Sequence, residues 1–390
     1  GFFPGSTFRL GKCSASILFR TTSSMINSTM SQDKFVYPER YEIQEVCENF
    51  IKRRHLNQMM QEKGIFGISA STEELSQIMS NCIFDAVTID DFRKNAIQCS
   101  NRNNLSGFLI TSSAKDLSVK DIYEKARDNS NLKLSRQYRL GMLVKETRDG
   151  KDYFKGKLDY EIRRPGRIQF MDKETGSCEF YMFETKNNEW QVEVDGTRSS
   201  DGKEVQKLFT QLVDKSITRI HVLDIDCLKD KQTIEFFDEI KTRGLPDEWK
   251  LQDGVALTFR RGRDEVEENI ENEDEEKSKT TPLTGIRQAI LEGGNLRDNE
   301  FVHKFEENGC IFSAMTLEYQ NASTPETIHI RAEFKGSPKI FEVSIVNIFE
   351  NEGLEAKKEQ SSLSVKKNLE VRTAFWNNAR IIYNEIVSKQ

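Results

Sequence analysis

Nine of the thirteen residues from Asp264 to Glu276 are Asp or Glu. Between positions 262 and 281 they face three basic side chains, Arg263, Lys277 and Lys279. The stretch therefore carries a net charge of −6, which is the formal charge of the whole 390-residue chain, and the remainder is neutral. So dense a run repels itself, and Val266 and Ile270 cannot bury enough apolar surface to offset the entropy of ordering it. It is expected to be a solvated linker over 263–284 that divides the chain, and a chain of this length is expected to hold two or three domains.

The composition, 36% hydrophobic and 31% charged, fits a globular chain with a heavily charged surface. No stretch approaches the roughly eighteen uncharged apolar residues that a membrane span requires, so a membrane role is not expected. The seven cysteines are scattered without a C-x-x-C pair. That usage argues against a structural zinc or a disulfide framework and suggests reduced thiols in the cytoplasm. Residues 1–34 form a leader that is acid-free to position 32, with Arg9, Lys12 and Arg20 among many Ser and Thr. Two readings stand, a transit peptide or a frame read upstream of a start at Met25 or Met30, and the segment is set aside from fold reasoning.

From Pro38 the pattern is helical. Ile43, Val46, Cys47, Phe50 and Ile51 recur at three- and four-residue steps, Met59 and Met60 extend the stripe, and Gly64 ends it. Ser71 stands where an N-cap belongs, with Glu74 three residues on, and Leu75, Ile78 and Met79 face that helix inward. A third helix starts at Thr88 with Ile89, Phe92, Ala96 and Ile97. Residues 35–128 therefore read as a mainly helical domain with one strand, Gly107 to Ile110.

The period then changes from 3.6 to 2. In 153–162, Phe154, Leu158, Tyr160 and Ile162 alternate with Lys155, Lys157, Asp159 and Glu161, as a half-buried strand requires. Similar runs at 138–146, 167–172, 178–185 and 189–195 are separated by turn pairs at Asp149-Gly150, Pro165-Gly166, Thr175-Gly176 and Asn187-Asn188, so a five-stranded antiparallel meander is expected. A helix with Val205, Leu208, Phe209 and Leu212 on one face should close one side of it. A strand at 217–225, a helix with Ile234, Phe237 and Ile240, and a strand with Val255, Leu257 and Phe259 complete a domain over 129–262. Beyond the acidic run, 286–291 and 301–305 read as helices, 310–319, 327–335 and 339–348 as strands, and Leu369 to Ile386 as an amphipathic helix. Residues 285–390 thus form a small ααβββα domain. The fold class is α+β.

Two arginine clusters sit at predicted chain reversals: Arg163, Arg164 and Arg167 around Pro165-Gly166, and Arg260, Arg261 and Arg263 around Gly262. A guanidinium fork on a rigid turn suits bidentate phosphate contacts, although exposed arginine is also common at hairpin tips. The second cluster abuts the acidic run, which would compete there with any nucleic acid as a tethered polyanion. Lys52, Arg53 and Arg54 lead a helix, loop, helix segment of the kind that sets amides and bases against phosphates; an ordinary helical hairpin has the same pattern.

Glu184 and Lys186 form an E-x-K set at a strand end, with Asp172 on the preceding run. Such a trio can hold a divalent ion and an attacking water in a metal-dependent nuclease, and the same pattern arises by chance in a highly charged chain. His329, Arg331 and Glu333 alternate opposite Ile328, Ile330, Ala332 and Phe334, making a polar row exposed to solvent or a partner. His221 alternates away from Asp224 and Asp226, which weakens a shared metal site there. Trp190, Trp249 and Trp376 are assigned to cores or domain contacts. The chain has no phosphate-loop, dinucleotide, nucleophile-elbow or H-E-x-x-H motif. No cofactor, nucleotide or metal is expected. These features favour a non-enzymatic binding or regulatory protein whose partner is nucleic acid or another protein; a metal-dependent nuclease and a protein-interaction scaffold are the alternatives.

Overall fold

The structure, a computed structural model, describes residues 37–51, 53–66, 71–100, 103–113, 122, 124–126, 133–148, 151–163, 172–186, 188–213, 218–261, 288–294, 296, 300–336, 339–350, 359–360 and 363–389. The leader and the acidic run lie outside these residues. Four helices come first: α1 (Arg40–Asn49), α2 (Arg53–Glu62), α3 (Thr72–Ser80) and α4 (Ala86–Ser100). Val46 and Cys47, Leu56 and Met60, Leu75 and Met79, and Phe92 and Ala96 share one core, although the single helix expected from Pro38 to Gly64 is broken after Asn49 into α1 and α2. Ser71 caps α3 by accepting a hydrogen bond from the Glu74 amide at 3.2 Å.

All twelve described strands belong to one sheet. They are β1 (Asn104–Ser112), β2 (Tyr138–Arg148), β3 (Lys151–Arg163), β4 (Lys173–Lys186), β5 (Glu189–Gly196), β6 (Thr218–Val222), β7 (Trp249–Arg261), β8 (Gln288–Glu292), β9 (Cys310–Asn321), β10 (Glu326–Lys335), β11 (Ile340–Glu350) and β12 (Glu359–Gln360). Their order is β2-β3-β4-β5-β1-β11-β10-β9-β7-β8, with β6 also on β1 and β12 on β11, and every pairing is antiparallel. Helices α5 (Ser199–Leu212), α6 (Asp230–Arg243), α7 (Glu300–Glu307) and α8 (Val365–Val387) flank it. The class is α+β.

Two apolar cores form on opposite faces. Phe108 and Ile110 of β1 join Phe154, Phe180, Met182 and Val192 under Leu208 and Phe209 of α5. Leu105 of β1 joins Phe312, Leu317, Ile330 and Val343 under Phe236 and Phe237 of α6 and Phe375 and Ala379 of α8. Odd and even positions of a strand point to opposite faces, so β1 serves both cores and is buried from Leu105 to Ile110.

Beyond the helical segment, this arrangement differs from the expected one in four places. The strand around Gly107 to Ile110 does not belong with the helices: apolar on both faces, it sits in the middle of the sheet. The middle and C-terminal segments share that sheet, and Tyr37–Gln390 is one compact unit. The strands on either side of the acidic run are hydrogen-bonded neighbours, from Ala256 opposite Glu292 to Arg260 opposite Gln288, so the run joins paired strands. Its charge predicts exposure to water but says nothing of whether its flanks pair. Residues 286–291 were expected as a helix, yet β8 occupies 288–292, a case in which a short apolar run fits either period.

The fourth difference is Thr175-Gly176, expected as a turn but lying inside β4. A Cβ on Gly176 would stand 2.4 Å from the hydroxyl of Tyr160, its cross-strand partner, so the glycine makes room for a ring. The described meander accordingly has four strands, β2 to β5; of the run 167–172, only Asp172 is among the described residues, just before β4.

Helix α8 is seated by two contacts at the sheet's centre. A Cβ on Gly107 would lie 2.9 Å from the indole of Trp376 and 2.7 Å from the Val192 carbonyl, so only glycine admits the ring at this depth. One turn earlier, Arg372 is 1% exposed; its Nη1 donates to Asp195 Oδ1 at 2.7 Å and its Nε to Asn368 Oδ1 at 2.7 Å. Gln191 donates to both Glu193 and Asn377 at 2.7 Å, continuing this polar seam between β5 and α8. Burial pushes the Glu193 carboxyl up, against hydrogen bonds from Gln191, Thr373 and Asn377 that favour its charge. Removing one partner of a buried ion pair strands the other, so Arg372→Ala is expected to destabilise the fold by about 3–5 kcal/mol in urea unfolding. The apolar pair Arg372→Met with Asp195→Leu should regain most of that loss.

Candidate nucleic-acid interface

On the face of β2, β3 and β4 opposite α5, the aromatic and basic side chains of β3 and β4 are half-buried. Strand alternation sends Phe154, Leu158, Phe180 and Met182 into the core and leaves Tyr153, Lys155, Lys157, Glu179, Tyr181 and Phe183 on this other side. Tyr153 stands opposite Phe183, Lys155 opposite Tyr181 and Lys157 opposite Glu179. Met142 and Val144 of β2, opposite Lys157 and Lys155, extend the patch and are 39% and 37% exposed.

The rings of Tyr153 and Phe183 lie 5.2 Å apart at a 38° tilt. The Lys155 ammonium is 5.4 Å from the Tyr181 ring centroid and 3.0 Å from Glu179 Oε2, and Lys157 Nζ is 3.3 Å from Asp159 Oδ1. Burial alone would push the Glu179 carboxyl up, but the Tyr181 hydroxyl and Lys155 outweigh it and hold it below the usual carboxylate range. The patch ends at α8: Tyr181 and Phe183 pair across β4–β5 with Glu193 and Gln191, which the helix covers. Arg380 of α8 borders this seam near Glu189 and Glu193; its guanidinium is drawn down by burial, and its Nε has no hydrogen-bond partner.

The two arginine clusters fall on different parts of the sheet. Arg163 is exposed at the end of β3, opposite Lys173, and Arg164 and Arg167 lie outside the described residues in the connection from β3 to β4. Arg163 is on the same pair of strands as the aromatic face, eight residues along β3 from Lys155. Arg260 is half-buried on β7 between Ile311 and Gln288, Arg261 is opposite Cys310, and Arg263 lies outside the described residues. Seven strand steps separate β3 from β7, roughly 34 Å at the usual spacing, so the structure does not bring the clusters together. Arg53 is exposed at the start of α2, which also contains Arg54; Lys52 is outside the described residues.

The nuclease trio is not assembled. Asp172 precedes β4 and Glu184 and Lys186 are exposed near its far end, roughly 40 Å of extended chain away. Among the described residues no group of three or more His, Cys, Asp or Glu side chains could hold a metal ion. His221 Nε2 lies 2.9 Å from Thr111 Oγ1, while Asp224 accepts from the Asp226 amide at 2.9 Å and caps a short turn. Trp190, Trp249 and Trp376 are buried, as expected.

The polar row on β10, expected to be exposed, is half-buried and paired, His329 across to β9 and Arg331 along its own strand. His329 Nε2 is 2.8 Å from Glu318 Oε2 on β9, and Arg331 Nε donates to Glu333 Oε2 at 3.1 Å. Opposite Glu333 stands Glu342 of β11, which sequence reading missed, although a single acid between Phe341 and Val343 is a signal. Glu342 is 3% exposed, and its Oε2 accepts from Asn104 at 3.2 Å and from Ser199, at the start of α5, at 3.1 Å. Burial is the largest influence on its carboxyl; the Ser199 hydrogen bond opposes it, the charge of Glu333 adds to it, and the pKa is pushed up to about 7.

The folded state thus holds this proton more tightly than the unfolded chain, whose glutamates titrate at the ordinary 4.5. The associated stability is complete below 4.5 and is lost as the pH rises through about 7. Glu342→Gln keeps the neutral shape. It is expected to match the parent at pH 4 and to exceed it by up to about 3 kcal/mol at pH 8 in thermal or urea unfolding.

No family model and no curated protein matches the chain. Among solved structures, the crystal structure of DynU16, a protein of the dynemicin biosynthetic locus, aligns over 73% of this chain and 98% of its own, at 10% identity and a TM-score of 0.15. A likeness so slight carries no argument about fold or function.

Proposed function

We propose that this chain is a binding protein without catalytic chemistry of its own, and that the face of β2, β3 and β4 opposite α5 receives single-stranded nucleic acid. The observation that carries the reading is the cross-strand set of Tyr153 with Phe183 and Lys155 with Tyr181 on the half-buried sheet face opposite α5. Unpaired bases stack on aromatic rings presented in this way, and lysines between the rings meet the phosphates. Arg163, at the end of β3 opposite Lys173, adds positive charge to the same pair of strands. Glu179 and Asp159 hold Lys155 and Lys157 when no ligand is bound. Surface pairs of this kind are worth about 0–1 kcal/mol, so a phosphate can draw the ammonium groups away.

A labelled single-stranded RNA of about 12 nucleotides should bind the full chain at low salt in fluorescence anisotropy, and do so equally in EDTA. Tyr181→Ala and Phe183→Ala are each expected to weaken binding by about 5- to 150-fold, the value of one stacked base. Lys155→Ala should reduce the salt slope by about 0.7. Binding that these three substitutions leave unchanged, or the absence of binding, overturns the nucleic-acid reading in favour of a protein partner. Cleavage of the RNA with Mg²⁺ overturns the non-catalytic one.

A further inference from the structure

We infer that the sheet face around Arg331, on the side away from α6 and α8, binds a neutral saccharide. Leu317, Ile330 and Val343 point into the core under those helices, so Thr316, Arg331 and Ser344, one position removed from each, point the other way. Arg331 of β10 stands directly between Thr316 of β9 and Ser344 of β11. In the next row of the same strands, Glu333 stands between Ala314 and Glu342. Thr316, Ser344 and Ala314 are buried small residues that make a floor, while the longer side chains of Arg331 and Glu333 remain 23% and 17% exposed. The second row continues through Thr258 of β7 to Ile290 of β8, which is 58% exposed, so this end of the face meets water. At the other end Ser199, at the start of α5, donates to Glu342.

The fold leaves hydrogen-bonding capacity unused here. Arg331 donates through Nε to Glu333 at 3.1 Å, and its outer pair, Nη1 and Nη2, makes no hydrogen bond among the described residues. The hydroxyls of Thr316 and Ser344 on either side make none there either, and that of Thr258 is buried without a partner. Polar groups sheltered to this degree are normally satisfied, so several left unmet in two adjoining rows mark a place for a ligand. Charge selects its class. Around Arg331 stand the carboxylates Glu318, Glu333 and Glu342 against one further lysine, Lys335, 3.7 Å from Glu333. An anion would meet that excess of acid, and a cation would meet the guanidinium at the centre. A neutral molecule with neighbouring hydroxyls meets neither obstacle: two of its oxygens accept from the guanidinium fork, and its hydroxyl protons go to carboxylate oxygens. Phe349, whose ring lies 5.0 Å from that of His329, adds an apolar flank for a sugar ring. The site is on the opposite side of the sheet from Tyr181 and Phe183, and either reading can fail without the other.

The probes are neutral hexasaccharides of glucose, mannose, galactose and N-acetylglucosamine, with sialyllactose as the anionic control, titrated into the full chain by calorimetry. At least one neutral sugar is expected to bind, and more tightly than sialyllactose. Arg331→Met should weaken it by about tenfold or more, and Thr316→Val and Ser344→Ala by about 2- to 10-fold each. Arg331→Lys keeps the charge without the fork and should weaken it as much as Arg331→Met. Val365→Ser, at an exposed position at the start of α8, should change nothing. Binding of none of the neutral sugars, tighter binding of sialyllactose, or binding undiminished in Arg331→Lys and Ser344→Ala overturns the inference.

Discussion

The long C-terminal helix is held against the middle of the sheet by a buried cation and a missing side chain, and most of the architecture depends on that seat. Arg372 would be an uncompensated charge without Asp195, and Trp376 would collide with any residue at 107 larger than glycine. Both contacts fall where β5 and β1 adjoin, between strands contributed by the meander and strands contributed by the C-terminal segment. One helix therefore spans the junction. Because β1 places Leu105 under α8 and Phe108 under α5, the two cores, although on opposite faces, share a strand and cannot be assembled independently.

Much of the local structure was legible because it depends on neighbours in sequence. The stripe of α1, the Ser71 cap, the alternation of β3 and the inward face of α5 are each fixed within one or two turns of chain. What could not be read depends on distant partners. Gly176 looks like a turn until Tyr160 is placed across from it, and 286–291 looks helical until β7 offers it an edge. The acidic run is the clearest example: its composition reports that it avoids burial, and that is equally true of a tether between bodies and of a connection between paired strands. Only the pairing of Arg260 with Gln288 distinguishes them.

The same division holds for the candidate sites. His329, Arg331 and Glu333 were legible as a row because alternation on one strand is local. Glu342, opposite Glu333 and hydrogen-bonded by Ser199, was not, since its partners come from β1 and α5, well over a hundred positions away in sequence. Asp172 and Glu184 read as companions only while a turn was placed between them; with Thr175 and Gly176 inside β4 they mark opposite ends of one strand. Tyr181 and Phe183 were part of an apolar run whose two faces sequence could not tell apart.

The aromatic face also follows from the seat of α8. The helix lies over the polar side of β5, where Gln191, Glu193 and Asp195 answer Asn377, Thr373 and Arg372, and its hydrogen bonds reach no described strand beyond. The next residues outward on the same face are Glu179, Tyr181 and Phe183 of β4, and after them Tyr153, Lys155 and Lys157 of β3. A helix packed one strand further out would have buried those rings and made them ordinary core. Placed as it is, tied to β5 by a charge that Asp195 matches, α8 stands beside these rings, which are half-buried and outside the core. The contact that fixes the fold is thus also what sets the boundary of the surface proposed to bind.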